Sequence, residues 1–399
     1  MGDDERAARK PGARTGDPPA KILVVIAEDW FAVSHFVPLL QELSSLGREV
    51  VVATRSSGLL HEIAKLGVRT REFDFHRGSL NVAKLLRVRG GLARLIEEER
   101  PDIVHAIAMQ TMVMASLAIS ASGYRPSAVI LHLTGLGYLG HSRSPLAAMA
   151  RPLARAALRH CVTTRNAWLI AENSDDLAKM VADGVALPAR TAIVPGAGVD
   201  PALFPQAPAP LNAVPRAAYV GRMLLSKGVH ILVEAHHLLR ARGVSIDLAL
   251  YGAADAGSRQ AIPRETLEQW NRQTGVAWHG STDDVAGVWR AADIAVVPAL
   301  GGEGMPRAML EAASSGRPLV VSDVPGCRQF LRDGIEGFLV PPGDPHALAQ
   351  QIARLAADPE LRARMGAAAR RRLLENYTTD AVRRSIRDIY AMATMERGA

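Results

Sequence analysis

Two cations and two carboxylates at fixed spacing are the residues of this chain best suited to chemistry. In YVGRMLLSKGVHILVEA (219–235) a strand-like run ends at Gly221, and Arg222 and Lys227 bracket a short loop before a helical run. Two positive charges beside a helix N-terminus form a seat for a diphosphate, although arginine and lysine in such a loop are also ordinary surface residues. In GGEGMPRAMLEAASSG (301–316), Glu303 lies in a glycine-rich loop, Pro306 suits the first turn of a helix, and Glu311 falls on that helix. A near-helical backbone between the glutamates places them about two turns apart. Carboxylates that far apart cannot share one proton. They suit the two ends of an elongated ligand, sugar hydroxyls at one end and ribose hydroxyls at the other. The backbone N–H groups of Gly304 and Met305 are expected at the positive end of the same helix.

Positioning these groups requires a repeating scaffold, and the hydrophobic pattern supplies one. Strand-like runs at 21–27, 48–54, 68–75, 102–107, 127–135, 167–173 and 190–196 alternate with helical runs. The proline-dense PALFPQAPAPLNAVPR (201–216) interrupts the alternation, which resumes with runs at 216–223, 245–252, 274–280, 293–299, 317–323 and 336–342. Residues 360–399 read as wholly helical. Such alternation predicts an α/β chain of two doubly wound parallel-sheet domains, with a ligand cleft between them at the carboxyl ends of the strands. The expected divisions are a disordered segment 1–20, domains 21–205 and 206–375, and a final helical segment 376–399. Hydrophobic residues at 48% and charged residues at 22% exclude a wholly disordered or collagen-like chain. Cys161 and Cys327 stand far apart and form neither a CxxC pair nor a disulfide framework, which suits a reducing cytoplasm.

Three tempting features are set aside. Residues 103–124 carry no formal charge, but His105, Gln110, Thr111, Ser116, Ser120 and Ser122 interrupt them, so a strand followed by a buried helix is expected rather than a membrane span. GLGYLG (135–140) fits GxGxxG, yet no acidic residue follows at the distance a ribose contact needs, so a glycine turn lining the cleft is expected. HEIAK (61–65) lacks the second histidine of a metalloprotease helix. No cofactor and no metal are expected.

The net charge of +7 is unevenly spread: no acidic residue occurs between Asp102 and Glu172. That interval holds His132, His141 and His160 and six arginines, including Arg143, Arg151, Arg155 and Arg159. The last three share one face at helical spacing. The face is either solvated or a contact for an anionic partner. Nucleic acid is not expected, because no recognised motif is present and aromatic residues make up 5% of the chain.

Taken together, these residues resemble the family 4 retaining glycosyltransferases of the GT-B fold. The family's E-x7-E motif matches Glu303 and Glu311, and its GR-x4-KG motif matches Arg222, Lys227 and Gly228. HGSTDDVAGVWRAADIAVVPA (279–299) is similar to the base-side loop, Gly280 and Ser281 included, and the helix and strand that follow it. EDWFAVSHFVPLLQEL (28–43), TGLGY (134–138), AENSDD (171–176) and VPGAGVD (194–200) are similar to the subgroup acting on undecaprenyl-diphosphate-linked glycans.

The resemblance implies a metal-independent, retaining transfer from a UDP-sugar bound by the C-terminal domain to a lipid-diphosphate-linked glycan bound by the N-terminal one. It implies a cytoplasmic protein, peripheral on the inner face of the plasma membrane, with the arginines on anionic membrane. Arg222 and Lys227 would hold the diphosphate, Glu303 the hexose and Glu311 the ribose; Gly304, Met305 and Pro306 complete the donor side. The last helix would cross back onto the first domain. Asp29, His35, Thr134 and Gly135 are acceptor-side candidates, with a core or capping role equally open for His35. The sequence departs from the family pattern in having Thr134-Gly135 where a histidine is common, Glu28-Asp29-Trp30 in place of a Gly-Gly turn, and Gln329 where glutamate is frequent. A GT-B epimerase acting on the nucleotide sugar shares the fold, and a nicotinamide-dependent oxidoreductase rests on GLGYLG alone.

Overall fold

The computed structural model describes residues 20–75, 81–137, 145–165, 167–210, 212–255, 258 and 260–395. Apart from Ala20, the segment expected to be disordered lies outside them, as do Tyr138, Leu139, Gly140, His141 and Arg143.

The apolar runs form strands because both their faces are covered, which removes any need for polar alternation. The first sheet holds β1 (Lys21–Glu28), β2 (Glu49–Arg55), β4 (Ile103–Ile107), β5 (Ala128–Leu133) and β6 (Trp168–Ala171), with the more exposed β3 (Arg69–Glu72) and β7 (Thr191–Ile193) at its edges. They are parallel in the order β3-β2-β1-β4-β5-β6-β7, with Ile22 paired to Val50 on one side and Ile103 on the other. The second sheet holds β8 (Arg216–Val220), β9 (Asp247–Tyr251), β10 (Val276–Trp278), β11 (Ile294–Val297), β12 (Leu319–Ser322) and β13 (Gly337–Val340), parallel in the order β10-β9-β8-β11-β12-β13. These are the two doubly wound parallel sheets that the alternation predicts, and the GT-B architecture that the resemblance implies. Strand order reverses between β1 and β4 and again between β8 and β11. Each reversal opens a crevice at the carboxyl ends of the strands.

The uncharged stretch 103–124 resolves into β4 and the buried helix Met109–Ala121. Among the described residues, no helix is long and apolar enough to cross a membrane. Between strand and helix, Ala108 takes φ 76°, a conformation strained for a side chain, at the crevice of the first sheet.

The helical region expected over 360–399 divides at Tyr377 into helices Pro359–Asn376 and Thr379–Met395. The second packs Val382, Ile386, Ile389 and Tyr390 into the core of the first half, with Leu39, Leu40 and Leu43. Polar ties fix it there. Fully buried Glu42 accepts hydrogen bonds from Arg383 Nε at 2.9 Å and Arg387 Nε at 2.8 Å. The Tyr390 hydroxyl lies 2.7 Å from His105 Nδ1, and His105 Nε2 lies 3.3 Å from His132 Nδ1. Sequence distances of this size leave no local signal.

Glu42→Ala strips both arginines of their carboxylate. We expect a loss of about 3 kcal/mol, the low end for breaking a buried pair because the arginines keep part of their water, read as a lowered urea midpoint. The histidines give stability a pH dependence. Burial pulls His132 down to about 3, and burial, then the neighbouring His132, pulls His105 well below its usual value. The unfolded chain takes up these protons near pH 6.5, so stability is complete above that pH and is lost as pH falls toward 3. The slope is about 1.4 kcal/mol per pH unit for each histidine. Urea titrations at pH 7.5 and 5.5 measure it, and His132→Gln should lower the slope by one histidine's share.

Candidate active site

Arg222 and Lys227 stand at the β8/β11 crevice. Arg222 follows Gly221 just past the end of β8, and the turn through Lys227 closes on Gly228 at φ +69°, where a Cβ would overlap the Pro298 carbonyl after β11. That close approach carries Lys227 to the loop after β11, where its Nζ forms an ion pair with Glu303 Oε1. Arg222 Nη1 lies 3.4 Å from Asp255 Oδ2, and its guanidinium carbon sits 5.6 Å from the centre of the Trp30 ring, across from the first half of the chain. Beside Arg222 lies a cavity of about 380 Å³ walled by Gly221, Arg222, Tyr251, Gly252, Asp255 and Ser281. Gly280, at φ +70°, accepts from Gly252 N at 2.6 Å and so brings Ser281 to this wall. Stacked rings of Tyr251 and His279, 4.5 Å apart and 14° from parallel, stand at the ends of β9 and β10.

The expected near-helical path from Glu303 to Glu311 does not form. Pro306 precedes the helix Arg307–Ser314 as its cap residue, with φ −66° and ψ 117°, rather than entering its first turn, and residues 301–306 are loop. Glu303 is therefore free to turn toward Lys227. Glu311 is 7% exposed and lies 2.8 Å from Arg307 Nε. Burial pushes its carboxyl up, against the opposing pull of Arg307 and the Trp289 indole. Arg307 Nη1 in turn donates to the Ser34 carbonyl across the cleft.

The backbone N–H groups of Gly304 and Met305, anticipated as donor contacts, already have partners. Gly304 N donates to Thr134 O at 3.1 Å, and Met305 N donates to the Glu172 carboxyl. Thr134 and Gly135 thus lie directly against the loop 302–304, with Gly137 N a further 3.3 Å contact to Gly302 O. The described part of GLGYLG, residues 135–137, supplies the glycine turn of this contact.

His35 sits where the cations converge. Its Nδ1 is 2.7 Å from Ser34 Oγ and its ring 4.8 Å from that of Phe31. Burial first, then Arg307, Lys227 and Arg222, lowers it to about 3, so it is a neutral imidazole at physiological pH. Asp29 is different. Its fully buried carboxylate accepts from Ser57 N at 2.7 Å, Ser57 Oγ at 2.5 Å, Leu59 N at 2.8 Å and Trp30 N at 2.7 Å. Burial pushes its carboxyl up, but these hydrogen bonds outweigh it and hold the group below its usual range. Both oxygens are occupied in tying the loop after β2 to the turn after β1.

Arg151, Arg155 and Arg159 lie on the helix Pro145–Arg165, where Arg155 Nη2 is 3.0 Å from Asp183 Oδ2 and Arg159 Nε donates to Asp183 O at 2.9 Å. Two of the three are thus engaged with Asp183 rather than with the cleft. Among the described residues, no three His, Cys, Asp or Glu side chains are placed to hold a metal ion. Sequence reasoning missed Trp30 and Glu172 as cleft residues; the available signal was their position immediately after β1 and β6.

Comparison with known proteins places this geometry. Residues 32–203 match the model described as Glycosyltransferase Family 4, and residues 214–358 match the one described as Glycosyl transferases group 1. The Bacillus subtilis (strain 168) protein EpsD, assigned as a glycosyltransferase, is 25% identical over 367 residues, covering 89% of this chain and 92% of that one. The phosphatidyl-myo-inositol mannosyltransferase of Mycolicibacterium smegmatis is 33% identical over 177 residues, 42% of this chain and 43% of that one. Among solved structures, Anabaena Alr3699/HepE in complex with UDP and glucose superposes with a TM-score of 0.72 at 19% identity, covering 93% of this chain and 99% of that one. Two domain models that together span most of the chain, on two facing parallel sheets, place it among the glycosyltransferases of the family 4, GT-B type.

Proposed function

We propose that the chain moves a hexose or N-acetylhexosamine from UDP to a glycan carried on a lipid diphosphate, with retention of configuration and without a metal. The observation that carries this reading is the Lys227–Glu303 ion pair in the same crevice as Arg222, which itself lines the 380 Å³ cavity. An incoming diphosphate takes Lys227 and Arg222 as its counter-charges, which stabilises the leaving group where negative charge grows in the transition state. Glu303, released from Lys227, accepts from the hexose hydroxyls. Glu311 takes the ribose, and the nucleobase enters the cavity near Ser281. The acceptor approaches from the Thr134–Gly135 and His35 side, where a neutral imidazole among three cations suits a hydroxyl partner. The acceptor then attacks from the face the diphosphate leaves, and a donor phosphate oxygen takes its proton. The complex of HepE with UDP and glucose and the lipid in the mannosyltransferase's name support donor and acceptor classes of this kind.

The membrane part of this reading draws on the helix Pro145–Arg165. Met149 and Leu153 are 72% and 74% exposed, one turn apart, and Arg155 and Arg159 are exposed on the same helix. Val82 and Leu86, 69% and 56% exposed, start the helix Val82–Glu99. Exposed apolar side chains beside arginines suit the headgroup boundary of an anionic bilayer and the inner, cytoplasmic face where such a lipid acceptor is used.

Three experiments test this function. A thermal-shift screen of UDP-, GDP- and ADP-sugars should single out a UDP-sugar, because a ligand at 100 times its Kd adds about 2.7 kcal/mol. Glu311→Gln should weaken UDP and UDP-sugar alike, by roughly tenfold to a hundredfold, the worth of a charged hydrogen bond. Glu303→Gln should leave UDP binding as tight or tighter, since it frees Lys227, while turnover collapses. Equal loss of UDP affinity in both variants would mean that Glu303 shapes the loop rather than reading the sugar, and full activity in both would overturn the site. Leu153→Asp, and separately Arg151→Glu with Arg155→Glu, should each weaken binding to phosphatidylglycerol vesicles tenfold or more at low salt, with UDP affinity unchanged. Native vesicle binding in both would remove the membrane contact from this helix.

A further inference from the structure

The donor loop is gripped from the other half of the chain. Past the end of β6, Asn173 caps the helix Ser174–Ala182, accepting from Asp176 N at 2.8 Å, and its Nδ2 donates to Gly304 O at 3.1 Å. One residue earlier, Glu172 is 6% exposed and accepts from Met305 N. The Gly304 carbonyl and the Met305 N–H belong to one peptide group. Two adjacent side chains of the first half therefore hold both polar ends of a single peptide in the second. The fit leaves no slack: a Cβ at Gly304 would overlap the Glu172 carboxyl, and one at Gly326 would overlap the Gly304 carbonyl. The contact continues outward through Ser174, whose N and Oγ both donate to Gln329 Oε1 at 3.0 and 2.9 Å, and through Asp175, 2.5 Å from Arg328 Nη1.

We propose that Glu172 and Asn173 are positioning residues for glycosyl transfer: they clamp the Gly304–Met305 peptide and so hold the neighbouring Glu303 beside Lys227 only while the two halves are closed on each other. The inference rests on the reading of Glu303 and Lys227 as donor-binding residues. In chemical terms, the acceptor half sets the donor loop, so transfer waits for closure.

The clamp also has a pH limit. Burial raises the Glu172 carboxyl to about 8, and the facing Asp176 and Glu303 push the same way against the pull of the Met305 N–H. Lys227 matches the charge of Glu303, and burial keeps the nearby Cys327 thiol protonated. Below pH 8 Glu172 is a neutral acceptor for Met305. Above it, a further negative charge stands between Asp176 and Glu303, and the loop is pushed away.

Three variants test the clamp. Glu172→Ala removes the Met305 partner, Glu172→Gln keeps an acceptor that cannot ionise, and Asn173→Ser keeps a helix cap without the amide. Met305 amide exchange, followed by mass spectrometry, should quicken at least tenfold in Glu172→Ala and Asn173→Ser, with UDP affinity by calorimetry within threefold of the native protein. UDP release from UDP-glucose, UDP-galactose and UDP-N-acetylglucosamine should show kcat down tenfold or more with KM little changed. Glu172→Gln should keep native kcat at pH 7 and lose the decline above pH 8. Native exchange and native kcat in Glu172→Ala would overturn the proposal. Glu303→Gln with native turnover would instead sink the reading of the donor site, whereas an inactive Glu303→Gln beside a native Glu172→Ala would sink the clamp alone. Amide exchange needs no substrate, so it decides even where none of the three sugars is used.

Discussion

A Cβ at Gly135 would stand 2.6 Å from Gly304 N and 2.7 Å from Gly302 O, closer than any real Cβ approaches such atoms, and the relation between the two halves of the chain depends on its absence. Backbone meets backbone at this point, with Thr134 and Gly137 each hydrogen-bonded to the loop 302–304. Gly196 is similarly tight, its missing Cβ 3.0 Å from Met305 Cβ. The donor loop is thereby sandwiched between the first half and the β11 end of its own sheet. Glu303, Glu311 and Arg307 inherit their directions from that sandwich, because a loop of glycines has no core of its own to fix it.

A second tie keeps the halves in register. The chain crosses between them twice, and the crossings run side by side: Val199 N donates to Tyr377 O at 3.1 Å, and Thr379 N donates to Val199 O at 3.0 Å. Just beyond, the last helix is anchored by Glu42 to Arg383 and Arg387 and by Tyr390 to His105. A paired two-stranded link resists sliding and leaves rotation about the pair as the soft motion. The loops around Gly135 and Gly304 lie where such a rotation opens or closes the cleft.

The sequence showed the scaffold and half of the site. Parallel strands buried on both faces announce themselves as unbroken apolar runs, so β1, β4, β11 and β12 were legible one by one, and the crevice between them followed from alternation. Arg222 and Lys227 were legible because the chain folds locally around Gly228. Glu303 and Glu311 were legible as residue types at a spacing, but their geometry was not: whether 301–306 would be helix or loop depends on Thr134 and Glu172, more than 120 residues away. Asp29 misled for the same reason. A carboxylate at the end of a strand suits a ligand, and nothing near it in sequence reveals that Ser57 and Leu59 return to take both its oxygens. The N–H groups of Gly304 and Met305 were likewise expected as donor contacts at a helix end, because their partners Thr134 and Glu172 lie in the other domain.

In the cleft each cation of the proposed donor site already has a partner: Lys227 has Glu303, Arg222 has Asp255 and the Trp30 face, and Arg307 has Glu311 and the Ser34 carbonyl. Such pairing avoids the cost of burying like charges together, and it keeps the side chains near the place where a ligand needs them. It also sets how firmly they are held. The side chains of Lys227 and Glu303 keep 24% and 19% of their exposure, so water screens the pair and its net worth is small, of the order of 1 kcal/mol. A diphosphate brings at least two negative charges where Glu303 offers one, and it offers them to Lys227 and Arg222 together. The exchange therefore favours the diphosphate over the resting carboxylate. In the function proposed above, it also frees Glu303 of its cationic partner, so that binding the leaving group and releasing the residue proposed to orient the hexose become one event.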